Sequence, residues 1–590
     1  MKKVTAILSA ALAVTIGSGV CFGFQAENAH ATAKSYNNYM TVGAQKDALA
    51  IEPTTILEPA SFAEITGKAN SVVLTPAADM SVTLGGETKS FESIFDNTLK
   101  AKYIPVVRLT SDTVNGFIDW MNNTYTVSDI MAISSDLSVI QALYADEVCQ
   151  IVNTVYDLTN KEIGEDRYWA WQYLGDANAA GCNILMLDAA DKNLPVAAEY
   201  ISAMSKVCWG YADTKLEGVS AVTAGCYGIV SASAAVLSDT INTFTEDGFA
   251  RAQYIAAHRG ITAYCNEQSL TSLAASVNEG ATHIEIDLQI TKDQQILICH
   301  NPSSNGTGSK NGYYFVDAKA EQMRRLQLVD YSNKYDDTYP TLQEVFELVR
   351  GTDVILILEL KLDDGSKAAV EKLKAIETLK KITDEYPEMD GHWFTITFFS
   401  PYAEGMKEIL PKVPVGHLGG GHASLEKEKN RLPWNNEWAG VGSDFAKKMA
   451  FTRKYNMTLD ETYQSATNST ALSFLARGYV QNTWTFEDLR HFEAKANIAT
   501  TNKAEECALL AKEISTKAIT MSAEDYAKGV VEAEFTTYNG WVKSAECKII
   551  EVAREGNTVT ALLHYTQAYA YGGADKAYGL YSKPVTITIA

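Results

Sequence analysis

Between Tyr254 and Asn502 the sequence alternates repeatedly between short apolar runs of strand type and longer amphipathic runs of helix type. Strand candidates fall at 254–258, 283–289, 354–361, 393–400, 413–418, 439–445, 478–485 and 496–502. Helical periodicity fills the gaps, as in TLQEVFELVR and AAVEKLKAIETLKKITDEY, and Thr341 with Glu344 three residues on forms a capping box at a helix start. Few α/β architectures accept this pattern. Eight βα units in roughly 260 residues predict a closed (β/α)8 TIM barrel, whose chemistry collects at the C-terminal ends of its strands. One additional run, QQILICH, is expected to form a hairpin that returns His300 to the barrel mouth.

The second strand candidate carries the most unusual residues. On a strand successive side chains alternate sides, so His283, Glu285, Asp287 and Gln289 share one face, while Ile284, Ile286, Leu288 and Ile290 share the other. Two acids on a strand otherwise built for burial are costly unless a cation accompanies them. Glu359, in ILELKL, supplies a third carboxylate from the next strand. Oxygen-only ligands suit Mg²⁺ or Ca²⁺ rather than zinc. A barrel interior in which Lys361 and Arg259 neutralise the acids accounts for the spacing equally well. His258 and His300 bracket the acid pair, and imidazole titrates close enough to neutrality for acid or base work. His283 lies deeper on the face of Glu285 and is assigned to the core.

These residues, in this order, resemble the glycerophosphodiester phosphodiesterase family. His258-Arg259-Gly260 ends the first strand, Glu285-x-Asp287 lies on the second, and Thr-Lys-Asp then His300 close the next run. Glu359 and Lys361 of ILELKL, Trp484 and Thr485 of NTWTF and the closing NIATTN extend the likeness, which runs from about Ala250 to Ile514. The resemblance implies a TIM barrel that hydrolyses glycerophosphodiesters to glycerol 3-phosphate and an alcohol. It also implies a divalent metal, Ca²⁺ or Mg²⁺, held by Glu285, Asp287 and Glu359, with His258 and His300 as acid and base. Arg259 and Lys361 would hold phosphate oxygens, and Trp484 would pack against the glycerol or head group or simply close the barrel. A neighbouring substrate hydroxyl would attack phosphorus, and water would open the resulting cyclic phosphate. Two departures stand out: Asn266-Glu267-Gln268-Ser269 replaces Pro-Glu-Asn-Thr, and Asn301 follows His300 where Asp is usual. His417 and His422 flank Gly419-Gly420-Gly421, a weak phosphate-loop signal. Two other readings are a phospholipase D-like enzyme acting on lysophospholipids and a non-catalytic cell-surface binding protein.

Residues 34–248 carry a βα alternation of their own, in YIPVVRL, VCQIVNTVYDL, GCNILML, SKVCWGY and CYGIVSA. Trp209, a helix and CYGIVSASAAVLSDTINTF parallel Trp484, a helix and ANIATTNKAEECALLAKEI, which points to an ancient duplication. This first TIM-barrel-like domain is degenerate. No histidine lies between Ala31 and Ala257, and there is no Glu-x-Asp, so Asp157 and Asp188 are expected to be solvated or structural. Its job is open: covering the active barrel's face, or binding a cell-wall polymer. Residues 249–516 make up the active barrel. From 517 to 590 the period changes to two, as in AECKIIEVAREGNTVTALLHYTQAYAY, predicting a small β-sandwich. Tyr538, Trp541, Tyr565, Tyr569 and Tyr571 line a binding face or serve as cross-strand packing.

With 50 Lys+Arg against 72 Asp+Glu the net charge is −22, which argues against nucleic acid or an anionic membrane as a partner and leaves a small anionic substrate open. Lys2 and Lys3, the run AILSAALAVTIGSGV and Ala29-His30-Ala31 read as a signal peptide over residues 1–31, implying a secreted or cell-surface protein. Cys21 is a poor lipidation site because Ser18 stands where Leu is preferred. No later segment is apolar enough to span a bilayer. The nine cysteines, eight after cleavage, lie singly without a C-x-x-C pair; those in strand-like apolar runs, such as Cys182 and Cys299, are expected to be small buried hydrophobes, and export leaves disulfide pairing open.

Overall fold

The computed structural model describes residues 33–251, 253–329, 336–361, 369–398, 400–418, 444–462, 468–486, 496–510, 517–529, 531, 542–571 and 574–590. The signal-peptide segment, the Gly419–Gly421 loop with His422, and Tyr538 and Trp541 lie outside the described residues.

Two parallel barrels follow one another along the chain. In the first, Thr54–Leu57, Ser71–Leu74, Ile104–Arg108, Met131–Ser134, Asn153–Asp157, Ile184–Asp188, Val207–Tyr211 and Gly228–Ser231 close into a ring, the last strand pairing with the first from Gly228↔Thr54 to Ser231↔Leu57. The second barrel comprises Tyr254–His258, His283–Ile290, Ile355–Leu360, Trp393–Thr397, Val415–Leu418, Thr458–Thr462, Gln481–Phe486 and Ile498–Thr501. It closes where Tyr254 meets Ile498. Ile296–Ile298 folds back antiparallel onto Leu288–Ile290, the hairpin that the sequence predicts. All eight residues of HIEIDLQI are buried, as expected of a strand with one face in the barrel and the other under helices. The Thr341 capping box also forms: the Glu344 amide donates to Thr341 Oγ1 at 3.1 Å, and the Thr341 amide donates to Glu344 Oε2 at 2.8 Å. Trp209 and Trp484 both occupy the seventh strand of their barrels.

The sixth strand of the second barrel differs from expectation. It is Thr458–Thr462 rather than 439–445; residues 439–443 lie outside the described residues, and a helix spans Asp444–Tyr455. TLDET escapes an apolar search because, of its buried residues Thr458, Leu459 and Asp460, only Leu459 is apolar.

The barrels meet at their N-terminal ends. Residues that open strands, or sit in the turns leading into them, supply the contacts. Tyr479 donates to Asn153 at 2.8 Å, Tyr227 to Asn497 at 2.7 Å, and His283 Nε2 lies 2.9 Å from the Ala203 carbonyl. Asn178 donates to the Pro411 and Val413 carbonyls at 2.8 and 3.0 Å, and Tyr200 donates to the Gly391 carbonyl at 2.7 Å. Arg477 enters fully buried and grips Asp129 through Nε at 2.7 Å and Nη2 at 2.6 Å. Leu472, Leu475, Ala476 and Val480 of the second barrel pack into the apolar interior of the first, against residues such as Ile104, Met131 and Ile184. Back-to-back stacking sends the two mouths in opposite directions. The first barrel therefore lies away from the active barrel's open face, as the floor beneath it.

At the first barrel's mouth, Arg108 ion-pairs with Asp157 and holds Glu58 at 3.1 Å. Asp157 also accepts from Thr159 Oγ1 at 2.7 Å, so this acid is engaged in structure, as expected.

The C-terminal region is one five-stranded sheet among the described residues rather than a two-sheet sandwich. Thr558–Tyr571 sits between Val542–Glu555 and Val585–Ile589 and also pairs with Ala574–Tyr581, while Ile519–Met521 pairs with Val585–Ile589. Alternation along the central strand gives the physical reason. Val559, Ala561, Leu563 and Tyr565 pack with Ile519 and Tyr526 on one face, so Tyr565 is packing. Leu562, with Tyr581 and Val552, joins the core of the barrels, which takes the place of a second sheet. Gly579 lies against the linker between the barrels. Its amide neighbourhood is so tight that an added Cβ would lie 2.0 Å from the Asp247 carbonyl oxygen. The cysteines of the described residues are buried and outside any disulfide, and no helix among those residues is long and apolar enough to cross a membrane.

Candidate active site

Strand register assembles the site. Asp287 pairs with Glu359 across neighbouring strands, and His258 pairs with Glu285. Alternation then turns Glu285, Asp287 and Glu359 together, and one carboxylate oxygen from each lies within 4.8 Å of the others. All three are buried. The Gly260 turn after the first strand brings the Arg259 backbone over Glu285: its amide donates to the Glu285 carbonyl at 3.1 Å and to Glu285 Oε2 at 3.2 Å. To do so Arg259 takes a left-handed backbone, φ 60, which side-chain-bearing residues rarely adopt and which concentrates at functional sites.

Both cations expected here are present. Lys361 Nζ lies 3.0 Å from Asp287 Oδ1 and 3.5 Å from Glu359 Oε1. Arg259 Nε lies 3.6 Å from Asp287 Oδ2, and its Nη1 donates to Glu267 at 3.1 Å. Two basic groups therefore stand beside four acids, so the neutralised-interior reading needs two of those acids protonated. Burial first, and the Asp287 charge second, push the carboxyls of Glu285 and Glu359 well above the ordinary value. Asp287, against the upward push of burial, is held below its ordinary value by Lys361, His300 and Arg259. Glu285 Oε1 is buried without a hydrogen-bond partner. An orphaned carboxylate oxygen beside two more acids fits a hard dication, and these three residues would hold it.

His258 and His300 are both half-buried at the mouth. His258 Nε2 lies 3.9 Å from Glu285 Oε2, and burial, followed by the Arg259 charge, pushes this imidazole down to about 4. Burial likewise lowers His300, with Lys361 and Arg259 adding to it and Asp287 opposing. A cavity of about 970 Å³ opens beside them, lined by His258, Arg259, Asn266, Asn301, Thr307 and Asn502 among others. Trp484 lies toward the end of the seventh strand. Its indole N–H donates to the Asp460 carbonyl at 3.2 Å and its ring meets Phe398 edge-on, toward the fourth and sixth strands. His283, as expected, is core, and His417 is buried on the fifth strand.

Sequence reasoning missed Gln268. It is buried in a left-handed turn, φ 63, donates Nε2 to Asp287 Oδ2 at 2.6 Å, and accepts the Asp287 amide at 3.3 Å. Its two amide atoms thus hold the Asp287 carboxylate and the Asp287 backbone N–H, and the departure at 266–269 is the signal for it. Asn502, which contacts His258, closes the NIATTN run, where nothing in the sequence marks it out from its neighbours.

Fold and site together define a class: a (β/α)8 barrel with an acid cluster, flanking imidazoles and basic groups at its strand C-termini. Residues 258–505 match the model of the glycerophosphoryl diester phosphodiesterase family, and the second barrel belongs to that family. The glycerophosphodiester phosphodiesterase of Caldanaerobacter subterraneus subsp. tengcongensis is 28% identical over 168 residues, covering 28% of this chain and 65% of that protein. One from Bacillus subtilis is 30% identical over 171 residues, covering 28% of this chain and 58% of that protein. The chain thus spans between about half and two thirds of the length of these curated relatives. Among solved structures, a phosphodiesterase from Oleispira antarctica in complex with the product sn-glycerol-3-phosphate aligns with TM-score 0.34 and 18% identity, over 43% of this chain and 95% of that one.

Proposed function

We propose that the chain is a divalent-metal-dependent phosphodiesterase that hydrolyses glycerophosphodiesters to glycerol 3-phosphate and an alcohol. The observation that carries this reading is the trio of buried acids with an orphaned Glu285 oxygen, facing two imidazoles across one mouth. The metal, Ca²⁺ or Mg²⁺, would supply Lewis-acid stabilisation of charge on the phosphate and on the attacking hydroxyl. The chain's own groups do the rest. Arg259 and Lys361, both aimed at Asp287, stand ready to take non-bridging phosphate oxygens. Of His258 and His300, one takes the proton of the neighbouring substrate hydroxyl as that oxygen attacks phosphorus. The other delivers a proton to the departing alcohol. Both rings are biased toward neutrality by burial, which readies the base; an anionic phosphodiester placed between them raises their proton affinity and readies the acid.

Incubating the purified protein with glycerophosphocholine should release glycerol 3-phosphate. EDTA should abolish release, and Ca²⁺ or Mg²⁺ should restore it. No hydrolysis of this or a chromogenic phosphodiester with either metal would leave the cell-surface binding protein as the reading. Leu328 and Val329 on the same cavity wall favour a second substrate, a lysophospholipid, and a head-to-head assay of the two substrates separates them. Export is part of the proposal. The mature protein recovered from the producing cells should begin at Thr32, and an N-terminal read starting at Met1 would refute it.

A further inference from the structure

The two imidazoles are gripped at the same ring atom by the same kind of group. His258 Nδ1 lies 2.6 Å from Asn502 Oδ1, and His300 Nδ1 lies 3.1 Å from Asn301 Oδ1. A carboxamide oxygen only accepts, so each contact requires the proton on Nδ1 and leaves the Nε2 lone pair open. For Asn301 the orientation of the amide is settled independently. Its Nδ2 donates to the Asn305 carbonyl at 3.0 Å, which turns Oδ1 toward His300. For His258, the open Nε2 is the atom that faces Glu285 Oε2, 3.9 Å away.

We propose that Asn301 and Asn502 are positioning residues that hold His300 and His258 in the Nδ1–H tautomer, presenting Nε2 as the atom that accepts or delivers protons during phosphodiester cleavage. The inference rests on the proposed phosphodiesterase activity but makes a claim of its own about the rings. A carboxylate at Nδ1 would fix the same tautomer while favouring imidazolium. A carboxamide fixes it without adding a charge beside the buried acid cluster. The device is built twice from distant parts of the chain: Asn301 follows the hairpin strand, and Asn502 follows the last barrel strand. That both arrive at the same ring atom argues for a shared task rather than two incidental contacts.

The test uses full-length protein with ¹⁵N-labelled histidine. His258→Gln and His300→Gln variants identify the two ring signals. In the wild type both rings should show a protonated Nδ1 and a bare Nε2. In Asn301→Leu the His300 signal should move to the Nε2–H tautomer or to an average of the two, and Asn502→Leu should do the same to His258. Turnover of glycerophosphocholine should fall about 10- to 100-fold in each Leu variant with KM within about threefold, the size seen when a partner that orients a functional histidine is removed. Asn301→Asp and Asn502→Asp, which keep an acceptor at Nδ1, should recover most of kcat. Wild-type rings already in the Nε2–H form, or Leu variants with unmoved tautomers, would overturn the positioning role even in an active enzyme. A wild type with the expected tautomers but no diester hydrolysis would instead overturn the phosphodiesterase reading on which the role depends.

Discussion

Replacing Glu359 with Gln is expected to cut diester turnover roughly a thousandfold while leaving the metal-free protein as stable as before, or more so. The two halves of this result have one cause. Glu285, Asp287 and Glu359 are buried with one carboxylate oxygen from each within 4.8 Å of the others, and Lys361 and Arg259 stand beside them. Burial and mutual repulsion already push Glu285 and Glu359 toward the protonated form. Gln keeps the shape of a protonated Glu359 and removes its capacity to ionise, so the folded chain gives up little. A dication loses one of three anionic ligands, and its Lewis-acid contribution, several kcal/mol, goes with it. Calorimetric titration with Ca²⁺ should show weakened binding, and melting curves in EDTA should show no loss. A Glu359→Gln enzyme with normal turnover and normal metal affinity would remove the metal from the proposal. Markedly lower stability in EDTA would instead make these acids partners in a neutralised interior, with Lys361 as the counter-ion.

The acid trio was legible because strand geometry is simple. A period of two places Glu285 and Asp287 on one face, and the neighbouring strand's Glu359 falls opposite Asp287 by register. Both barrels were legible for the same reason: apolar strands alternate with amphipathic helices. What escaped was structure made by polar residues. Thr458–Thr462 is a barrel strand with buried Thr458 and Asp460, so its pattern mimics a loop. Gln268 and Asn502 act through contacts that bridge 19 and 244 residues of sequence, where no periodicity connects the partners. The single C-terminal sheet was taken for a sandwich because a strand with two buried faces says nothing about what covers the second one. In this chain the cover is the barrel core around Phe244 and Val552. Nor does any pattern announce back-to-back barrels, since the seam is built from polar residues at or just before strand starts, such as Asn153, Asp129 and Asn497, whose partners lie hundreds of residues away in the other barrel.

That seam sets the other large expectation. Arg477→Ala should lower stability by about 3–5 kcal/mol, because Asp129 would be left charged, buried and without its guanidinium. Arg477 and Asp129 have side-chain exposures of 0% and 5%, and the guanidinium also donates to the Ser473 and Met40 carbonyls at 2.6 and 2.7 Å. Removing both charges together, as Arg477→Met with Asp129→Leu, should cost far less than Arg477→Ala, since no lone charge remains. The same geometry predicts that the second barrel does not stand alone. Residues 249–590 without the first barrel would present Leu472, Leu475 and Val480 to water together with the buried Arg477 and Arg453. Such a fragment should be recovered aggregated, and the full chain should melt both barrels in one calorimetric transition. The first barrel, without histidines and with its mouth turned away, would then serve the chemistry from beneath, by completing the floor on which the His283–Ile290 strand is seated. A soluble 249–590 fragment with a sharp melting transition and full diester turnover would separate the barrels functionally and return the question to the Arg108 cluster at the first barrel's own mouth.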